Sequence, residues 1–282
     1  MRSLAVTGRQ YLQRTTDVES WGPFRYRFLA EGDSWMDRSS PLIAALPDFL
    51  AQEMNRRGEA VLIINIAAAG DTLRRIASVL QGEFGFWLGQ FRYDAILLSV
   101  GGNDFIDAAL DPDPGQGILR DMPGLPPPAD GSACVAPQAL ATLVDGYLNP
   151  NFTVLYDAVR SGALNAATPL FLNCYDTPTA RDAPAAPNVG PWLFTAYNKN
   201  GIAPELWPQL TAALFDDIEQ TIAGWTTGRD AIFAVPTRGV LTPAAPGTTD
   251  GSGDWANEIH PNRSGWRKLA AAWAADLLSR LG

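Results

Sequence analysis

Histidine is nearly absent from this sequence. The 282 residues include one histidine, His260, and two cysteines. A lone histidine without acidic residues at ligand spacing is too little to build a typical metal site. Cys174 ends an apolar run and is expected to be buried as a small hydrophobe, and a Cys134–Cys174 bridge is the alternative. No run of about 18 apolar residues is present to form a transmembrane helix. The sequence therefore predicts no metal, no cofactor and no integral membrane segment.

Positive charge is also scarce. The chain has 21 Lys and Arg against 30 Asp and Glu, a net charge of −9. Nucleic acids and anionic membrane surfaces bind clustered positive charge, so neither is an expected partner. Residues 1–16 contain no apolar segment typical of a secretory signal. A cytoplasmic location is therefore expected, whereas a leader already removed would make the protein secreted or periplasmic. The sequence makes no prediction of an oligomeric state.

Apolar runs alternate with helical patterns along the chain. The run Val61–Ile66 shows no polar alternation, which is typical of a parallel strand covered on both faces. The alternation predicts a single α/β domain over residues 1–282, with a five-stranded, mostly parallel sheet. Residues 1–24 are predicted to be a polar lead-in anchored by Tyr11 and Trp21. Strands are predicted at 25–31, 61–66, 95–100, 169–174 and 231–235. Helices are predicted at 41–58, after Thr72, at 138–160 with a break near Asn149-Pro150, at 205–225 and at 262–281.

Long irregular stretches follow the last three predicted strands, at 106–136, 176–203 and 236–260. Ligands bind at the carboxyl edge of parallel sheets, and loops of this length are usually functional. The first two stretches are therefore expected to wall a pocket. Its aromatic candidates, which could instead simply pack the loops, are Trp35, Trp192, Phe194 and Tyr197.

A candidate nucleophile follows the first predicted strand. Gly32-Asp33-Ser34-Trp35 ends that strand in a tight turn, and such a turn can present a serine hydroxyl rigidly out of the sheet. The alternative is an ordinary turn in which Asp33 or Ser34 caps a helix.

A base and hydrogen-bond donors are available at the same edge. If an imidazole activates Ser34, it can only be that of His260, in the loop before the last helix. Gly70 follows the second strand and can offer a backbone N–H, and Asn103 follows the third with a side-chain amide. With the Ser34 N–H they could form an oxyanion hole, although each is also a common turn residue.

These stretches together resemble the SGNH hydrolases, the GDSL-type esterases and lipases. The resemblance rests on Gly32-Asp33-Ser34, Gly70, Gly101-Gly102-Asn103-Asp104 and His260-Pro261, which occur in the family's order over nearly the whole chain. It implies a flavodoxin-like three-layer α/β/α sandwich with a five-stranded parallel sheet. It also implies Ser34 as nucleophile, His260 as base, and Ser34, Gly70 and Asn103 as oxyanion donors.

Two positions depart from the family pattern. Trp35 stands where the namesake motif has Leu, which places an aromatic ring beside the nucleophile. Asn257 stands three residues before His260, where the family has the Asp that orients the base. Asp254 or Glu258 could take over that role, Asn257 or a backbone carbonyl could orient the ring in a Ser–His dyad, or the enzyme could be slow.

The expected function is hydrolysis of carboxylic acyl esters through an acyl-enzyme on Ser34, with a small-molecule, lipid or sugar ester as substrate. A carbohydrate O-acyl esterase or an acyltransferase would use the same residues. A weakly active or non-catalytic ligand-binding member of the fold is the other alternative, because of Asn257.

Overall fold

An all-parallel sheet lies at the centre of the structure, a computed structural model that describes residues 3–13, 23–37, 45–78 and 82–282. Six strands form it, in the order β1-β3-β2-β4-β5-β6. Every residue of β3, β4 and β5 is buried, as expected for parallel strands covered by helices on both faces. The strands are β1 (Leu4–Thr7), β2 (Tyr26–Gly32), β3 (Val61–Asn65), β4 (Ala95–Ser99), β5 (Leu170–Asn173) and β6 (Ile232–Val235).

The predicted strand count of five is wrong by one. Strand β1 lies within the segment predicted as a polar lead-in, and it pairs with β3 at the edge of the sheet, Leu4 opposite Leu62. It has four residues, of which only Val6 is buried, so it lacks the apolar run that marks the inner strands. Tyr11 follows in the first helix and packs edge-on against Trp87.

Helices flank the sheet, and the direction of the crossovers assigns them to two layers. The β2-to-β3 connection runs toward β1, whereas the β4-to-β5 and β5-to-β6 connections run the other way. Right-handed crossovers therefore place α2 on one face and α7 and α9 on the other, and α10 packs against α2. The helices are α1 (Gly8–Gln13), α2 (Leu46–Arg56), α3 (Leu73–Ser78), α4 (Glu83–Gln90), α5 (Gly102–Ala109), α6 (Pro137–Leu143), α7 (Asn149–Ser161), α8 (Leu193–Lys199), α9 (Trp207–Thr226) and α10 (Arg263–Leu281).

The break predicted near Asn149-Pro150 is present. A π-helical turn, Val144–Leu148, separates α6 from α7, and Pro150 lies in the first turn of α7. The predicted start of a helix at Pro41 and the predicted anchor Trp21 lie outside the described residues.

Helices also occupy parts of the stretches predicted to be irregular. The second half of α5 lies at the start of 106–136, and α8 lies within 176–203. Helix α8 has seven residues, too few for helical periodicity to stand out in the sequence. Cys134 and Cys174 are both buried and free, so the alternative of a bridge is wrong. None of the described helices combines the length and apolar character needed to cross a membrane.

Candidate active site

Ser34 lies in a turn directly after β2. Gly32, the last residue of β2, has a φ of +140°, and a Cβ there would meet the Ser99 carbonyl oxygen at 2.3 Å, so only glycine fits. The Asp33 N–H donates to that same carbonyl at 3.0 Å. The Asp33 carboxylate in turn accepts from the Trp35 N–H at 2.9 Å, closing the turn around Ser34. The backbone therefore holds Ser34 partly exposed at the carboxyl edge of the sheet.

Tyr175 links this turn to the start of α5, which carries Asn103. Its hydroxyl donates to Asp33 Oδ2 at 2.5 Å and accepts from the Gly102 N–H at 3.2 Å. The Ser99 hydroxyl donates to Asp33 Oδ1 at 2.9 Å. Burial raises the pKa of Asp33 to about 6, against the opposing effect of the Tyr175 hydrogen bond. Sequence reasoning missed Tyr175, although its position two residues after β5, at the same edge of the sheet, is a signal that could have found it.

His260 contacts the serine. Its Nε2 lies 2.8 Å from Ser34 Oγ, and its Nδ1 lies 3.0 Å from Asn257 Oδ1. The backbone N–H groups of Ile259 and His260 also donate to Asn257 Oδ1, at 3.1 and 2.9 Å. These two donors fix the amide so that its oxygen, and not its NH₂, faces the ring. Nδ1 therefore carries the proton, and Nε2 is free to accept the Ser34 proton.

The surroundings of His260 favour the neutral ring. Burial lowers the pKa of His260 to about 4. The Trp192 ring packs edge-on against the imidazole, with the ring centroids 5.4 Å apart. The group that accepts from Nδ1 is an uncharged amide, which adds no charge to favour the imidazolium.

Asp254 is engaged away from the imidazole. Asp254 Oδ2 accepts from the Thr242 N–H at 2.7 Å and from Lys268 Nζ at 2.5 Å. Burial alone would raise the pKa of Asp254, but the hydrogen bonds from Lys268 and the Thr242 backbone lower it to about 2. This acid therefore binds the start of α10 to the loop after β6 and does not make the orienting contact predicted as one option.

Glu258 is fully buried and caps α8 instead of facing His260. Its carboxylate accepts the N–H groups of Trp192, of Leu193 at 2.9 Å and of Phe194 at 2.7 Å. It also accepts the Arg181 N–H at 3.1 Å. Burial raises the pKa of Glu258 to about 7, although these backbone hydrogen bonds oppose the rise. The contact that orients His260 thus comes from Asn257, the residue at the family's acid position.

The three expected oxyanion donors lie at the same edge. Among the described residues, the N–H groups of Ser34 and Gly70 have no hydrogen-bond partner. Gly70 is exposed, with a φ of +79°. Asn103 Nδ2 donates one hydrogen to the Asp71 carbonyl at 3.0 Å, which holds the amide in place and leaves its second hydrogen available.

A small cleft opens at Ser34. Ser34, Trp35 and Asn103 line it, and its free volume is about 20 Å³; it is called the Ser34 cleft below. Trp35 is otherwise buried and packs edge-on against Tyr175, so the ring forms part of the core as well as part of the wall.

Two of the predicted pocket aromatics belong elsewhere. Phe194 and Tyr197 pack against Trp207 instead of lining the Ser34 cleft. Tyr197 is fully buried and shares a hydrogen bond with Thr211 at 3.0 Å. Their prediction as pocket residues is wrong because the amphipathic α8 turns its aromatic residues toward α9. Within the described ranges, no three His, Cys, Asp or Glu side chains are grouped to hold a metal ion.

Comparisons with known proteins agree with this fold. The family model for GDSL-like lipase/acylhydrolase matches residues 28–273. The lipase Lip_vut3 from a goat rumen metagenome has a similar fold, with a TM-score of 0.57 and 14% identity over 91% of this chain and 100% of its own. A family 3 carbohydrate esterase from Clostridium thermocellum gives a TM-score of 0.51 and 15% identity, over 91% of this chain and 99% of its own. A search of curated proteins finds no match to the sequence. Because the family model spans most of the chain and the fold agrees, the chain belongs to the GDSL-like lipase/acylhydrolase family, the SGNH hydrolases.

Proposed function

We propose that the protein is a serine-type carboxylic-ester hydrolase in which Ser34 is the nucleophile and His260 the base. One observation carries this proposal: Ser34 Oγ lies 2.8 Å from His260 Nε2 while the Nδ1 proton is held by Asn257 Oδ1. A serine within hydrogen-bond reach of a base that is itself oriented by a third group is the arrangement that activates a hydroxyl.

In the first half of the reaction, His260 Nε2 takes the Ser34 proton as Oγ attacks the ester carbonyl carbon. The carbonyl oxygen gains the negative charge and is stabilised by the N–H groups of Ser34 and Gly70 and by the free Asn103 hydrogen. The tetrahedral intermediate collapses as the C–O bond to the alcohol breaks. The alcohol leaves with the proton from His260, and the acyl group remains on Ser34.

Water completes the cycle by the reverse route. His260 removes a proton from a water molecule, whose oxygen attacks the acyl carbon, and the same three donors stabilise the oxyanion. The bond to Ser34 Oγ then breaks, the serine recovers its proton from His260, and the carboxylic acid is released. Every proton in this cycle passes through the one histidine of the chain.

Asn257 supplies orientation without charge. Its oxygen fixes the tautomer that the cycle needs, so the dyad is competent. The amide does not stabilise the imidazolium formed in each half-reaction as a carboxylate would. The proposal is therefore a Ser–His dyad oriented by an amide, with an unusually weak base.

Labelling with a serine-directed fluorophosphonate tests the function. The wild-type protein is expected to be labelled on Ser34 and to lose turnover of p-nitrophenyl acetate in step with labelling. Ser34→Ala is expected to take no label and to show no turnover above background. Wild-type protein that neither labels nor turns over the ester would refute the proposal.

The same assay separates hydrolysis from acyl transfer. Hydrolysis predicts free acetic acid as the product whether or not a sugar alcohol is added. An acylated sugar appearing in its place would assign the alternative function of an acyltransferase.

A further inference from the structure

The Ser34 cleft is narrow and its exposed lining is mostly apolar, although the buried residues Asp33 and Asp176 also line it. Besides Ser34 and Asn103 its walls include Ile106, Pro178, Phe215 and Ile259, all of them buried. The free volume of about 20 Å³ is room for roughly one group the size of water, since a water needs about 10–15 Å³. A cleft of this size beside the nucleophile has room for about one methyl group.

The position of His260 decides which part of an ester enters this cleft. The leaving alcohol must lie against His260 Nε2, because that atom gives it the proton. Of the described residues, neither His260 nor Trp192, which packs on its ring, lines the cleft. The carbonyl oxygen belongs at Asn103, which lines the cleft beside Ser34. The alcohol therefore lies on the Trp192 side, and the cleft is left for the acyl chain.

The side chains that form the walls of the cleft are not easily displaced. Phe215 lies in the middle of the twenty-residue α9 and is 6% exposed, and Ile106 lies in α5 and is 7% exposed. Helices α5 and α9 pack against each other. Ile259 is held by its N–H bond to Asn257, the residue that orients His260. A longer acyl chain would have to displace side chains that are already packed, which is costly in a well-packed interior.

We propose that the Ser34 cleft restricts the enzyme to esters of acetic acid and similarly short acids, with Phe215 and Ile106 setting the limit. This inference rests on the proposed ester hydrolysis at Ser34. The alcohol lies on the Trp192 side, outside the cleft, so the cleft selects on the acid half of the ester.

A chain-length series of p-nitrophenyl esters tests the inference. For the wild-type enzyme, kcat/KM is expected to fall at least about 10-fold from acetate to butyrate, and further to hexanoate, since misfit by a methylene changes kcat/KM by roughly 10–200-fold. Phe215→Ala and Ile106→Ala are each expected to raise the hexanoate-to-acetate ratio by about 10-fold or more. Both rates in the ratio are measured on the same protein, so a partial loss of folded enzyme does not change it. If Phe215→Ala does not fold, Ile106→Ala still tests the inference.

Leu214→Ala is the matched control. Leu214 is the neighbour of Phe215 on α9 and is equally buried, but it does not line the cleft. Its hexanoate-to-acetate ratio is expected to equal that of the wild type. A ratio raised equally in all three variants would attribute the effect to general loosening of the packing between α5 and α9 and would overturn the assignment of the cleft.

Failure of the inference and failure of the proposed function give different results. Turnover that is equal from acetate to hexanoate, and lost in Ser34→Ala, overturns the short-acyl limit and leaves the esterase in place. No turnover of any ester, with no labelling of Ser34, overturns the function itself.

Discussion

Replacing Asn257 by Asp is the perturbation that reports most sharply on how His260 works. The change is nearly isosteric, and a carboxylate oxygen can accept the same three hydrogen bonds, from Nδ1 of the ring and from the N–H groups of Ile259 and His260. It adds one negative charge beside the imidazole. Arg181 Nη2, which donates to the main-chain carbonyl of Asn257 at 2.6 Å, is a cation already close enough to lower the cost of burying that charge.

The size of the effect follows from the geometry. Asn257 Oδ1 lies 3.0 Å from His260 Nδ1. A unit charge about 4 Å from a protonated ring contributes roughly 4 kcal/mol at an effective dielectric constant of about 20. Desolvation of the new carboxylate offsets part of this, and about 2–3 kcal/mol remains, or about 2 pKa units at roughly 1.4 kcal/mol each. The pKa of His260, about 4 in the wild type, is therefore expected to rise to about 6.

The rate is expected to rise as well. In a serine protease, Asp→Asn at the orienting position lowers kcat about 10⁴-fold, in large part through the wrong tautomer. Here the tautomer is already correct because Oδ1 is fixed by two backbone donors. Only the missing charge is restored by Asn257→Asp, so a gain in kcat of about 10–100-fold is expected, equivalent to roughly 1.4–2.8 kcal/mol of transition-state stabilisation.

The assay is a pH profile of kcat/KM with p-nitrophenyl acetate. Protonation of a base ends its activity, so the acidic limb of the profile follows the pKa of His260 and is expected to move toward higher pH by about 2 units in Asn257→Asp. Asn262→Asp is the control, because it adds the same charge two residues after His260, at the N-cap of α10, without contacting the ring. A limb that does not move and a kcat that does not rise in Asn257→Asp would refute the reasoning.

Two further predictions concern the residues that hold the site together. Tyr175→Phe removes the hydroxyl that links Asp33 to the Gly102 N–H; kcat is expected to fall about 10-fold with KM nearly unchanged, and the pKa of Asp33 to rise because a hydrogen bond that lowers it is lost. A fall confined to thermal stability, with kcat unchanged, would make Tyr175 purely structural. In the wild type, four backbone N–H groups donate to the two carboxylate oxygens of Glu258, and Glu258→Gln leaves them a single oxygen. Urea denaturation is therefore expected to show a loss of about 2–3 kcal/mol in the free energy of unfolding. Fluorophosphonate is expected to label Ser34 in this variant as well. An unchanged midpoint would contradict the capping role of Glu258.

Much of the sheet could be predicted from the sequence because its inner strands carry continuous apolar runs. Strands β3 and β4 are buried on both faces, and the predicted ranges differ from the observed ones by one residue at the carboxyl end. Strand β1 escaped prediction because an edge strand of four residues, with one buried side chain, needs no such run. Its place in the sheet is set by pairing with β3, which is distant in the sequence.

The site, like the sheet, has features that can be predicted from the sequence and features that depend on contacts between distant residues. That Ser34 and His260 lie at one edge follows from their order after successive strands, which the sequence contains. The partners of Asp254 and Glu258 do not follow from the sequence. Lys268 is fourteen residues from Asp254, and the backbone donors to Glu258 come from more than sixty residues away. Spacing along the loop suggested both acids as partners of His260, and tertiary contacts decided otherwise.

The most direct test of the central claim is to trap the acyl-enzyme. The protein is mixed with p-nitrophenyl acetate, quenched in acid during turnover, digested and analysed by mass spectrometry, with His260→Ala and Ser34→Ala in parallel. An acetyl group is expected on Ser34 in the wild type, little or none in His260→Ala, and none at this position in Ser34→Ala. Turnover with an acetyl group on another residue, or undiminished turnover in Ser34→Ala, would contradict the central claim.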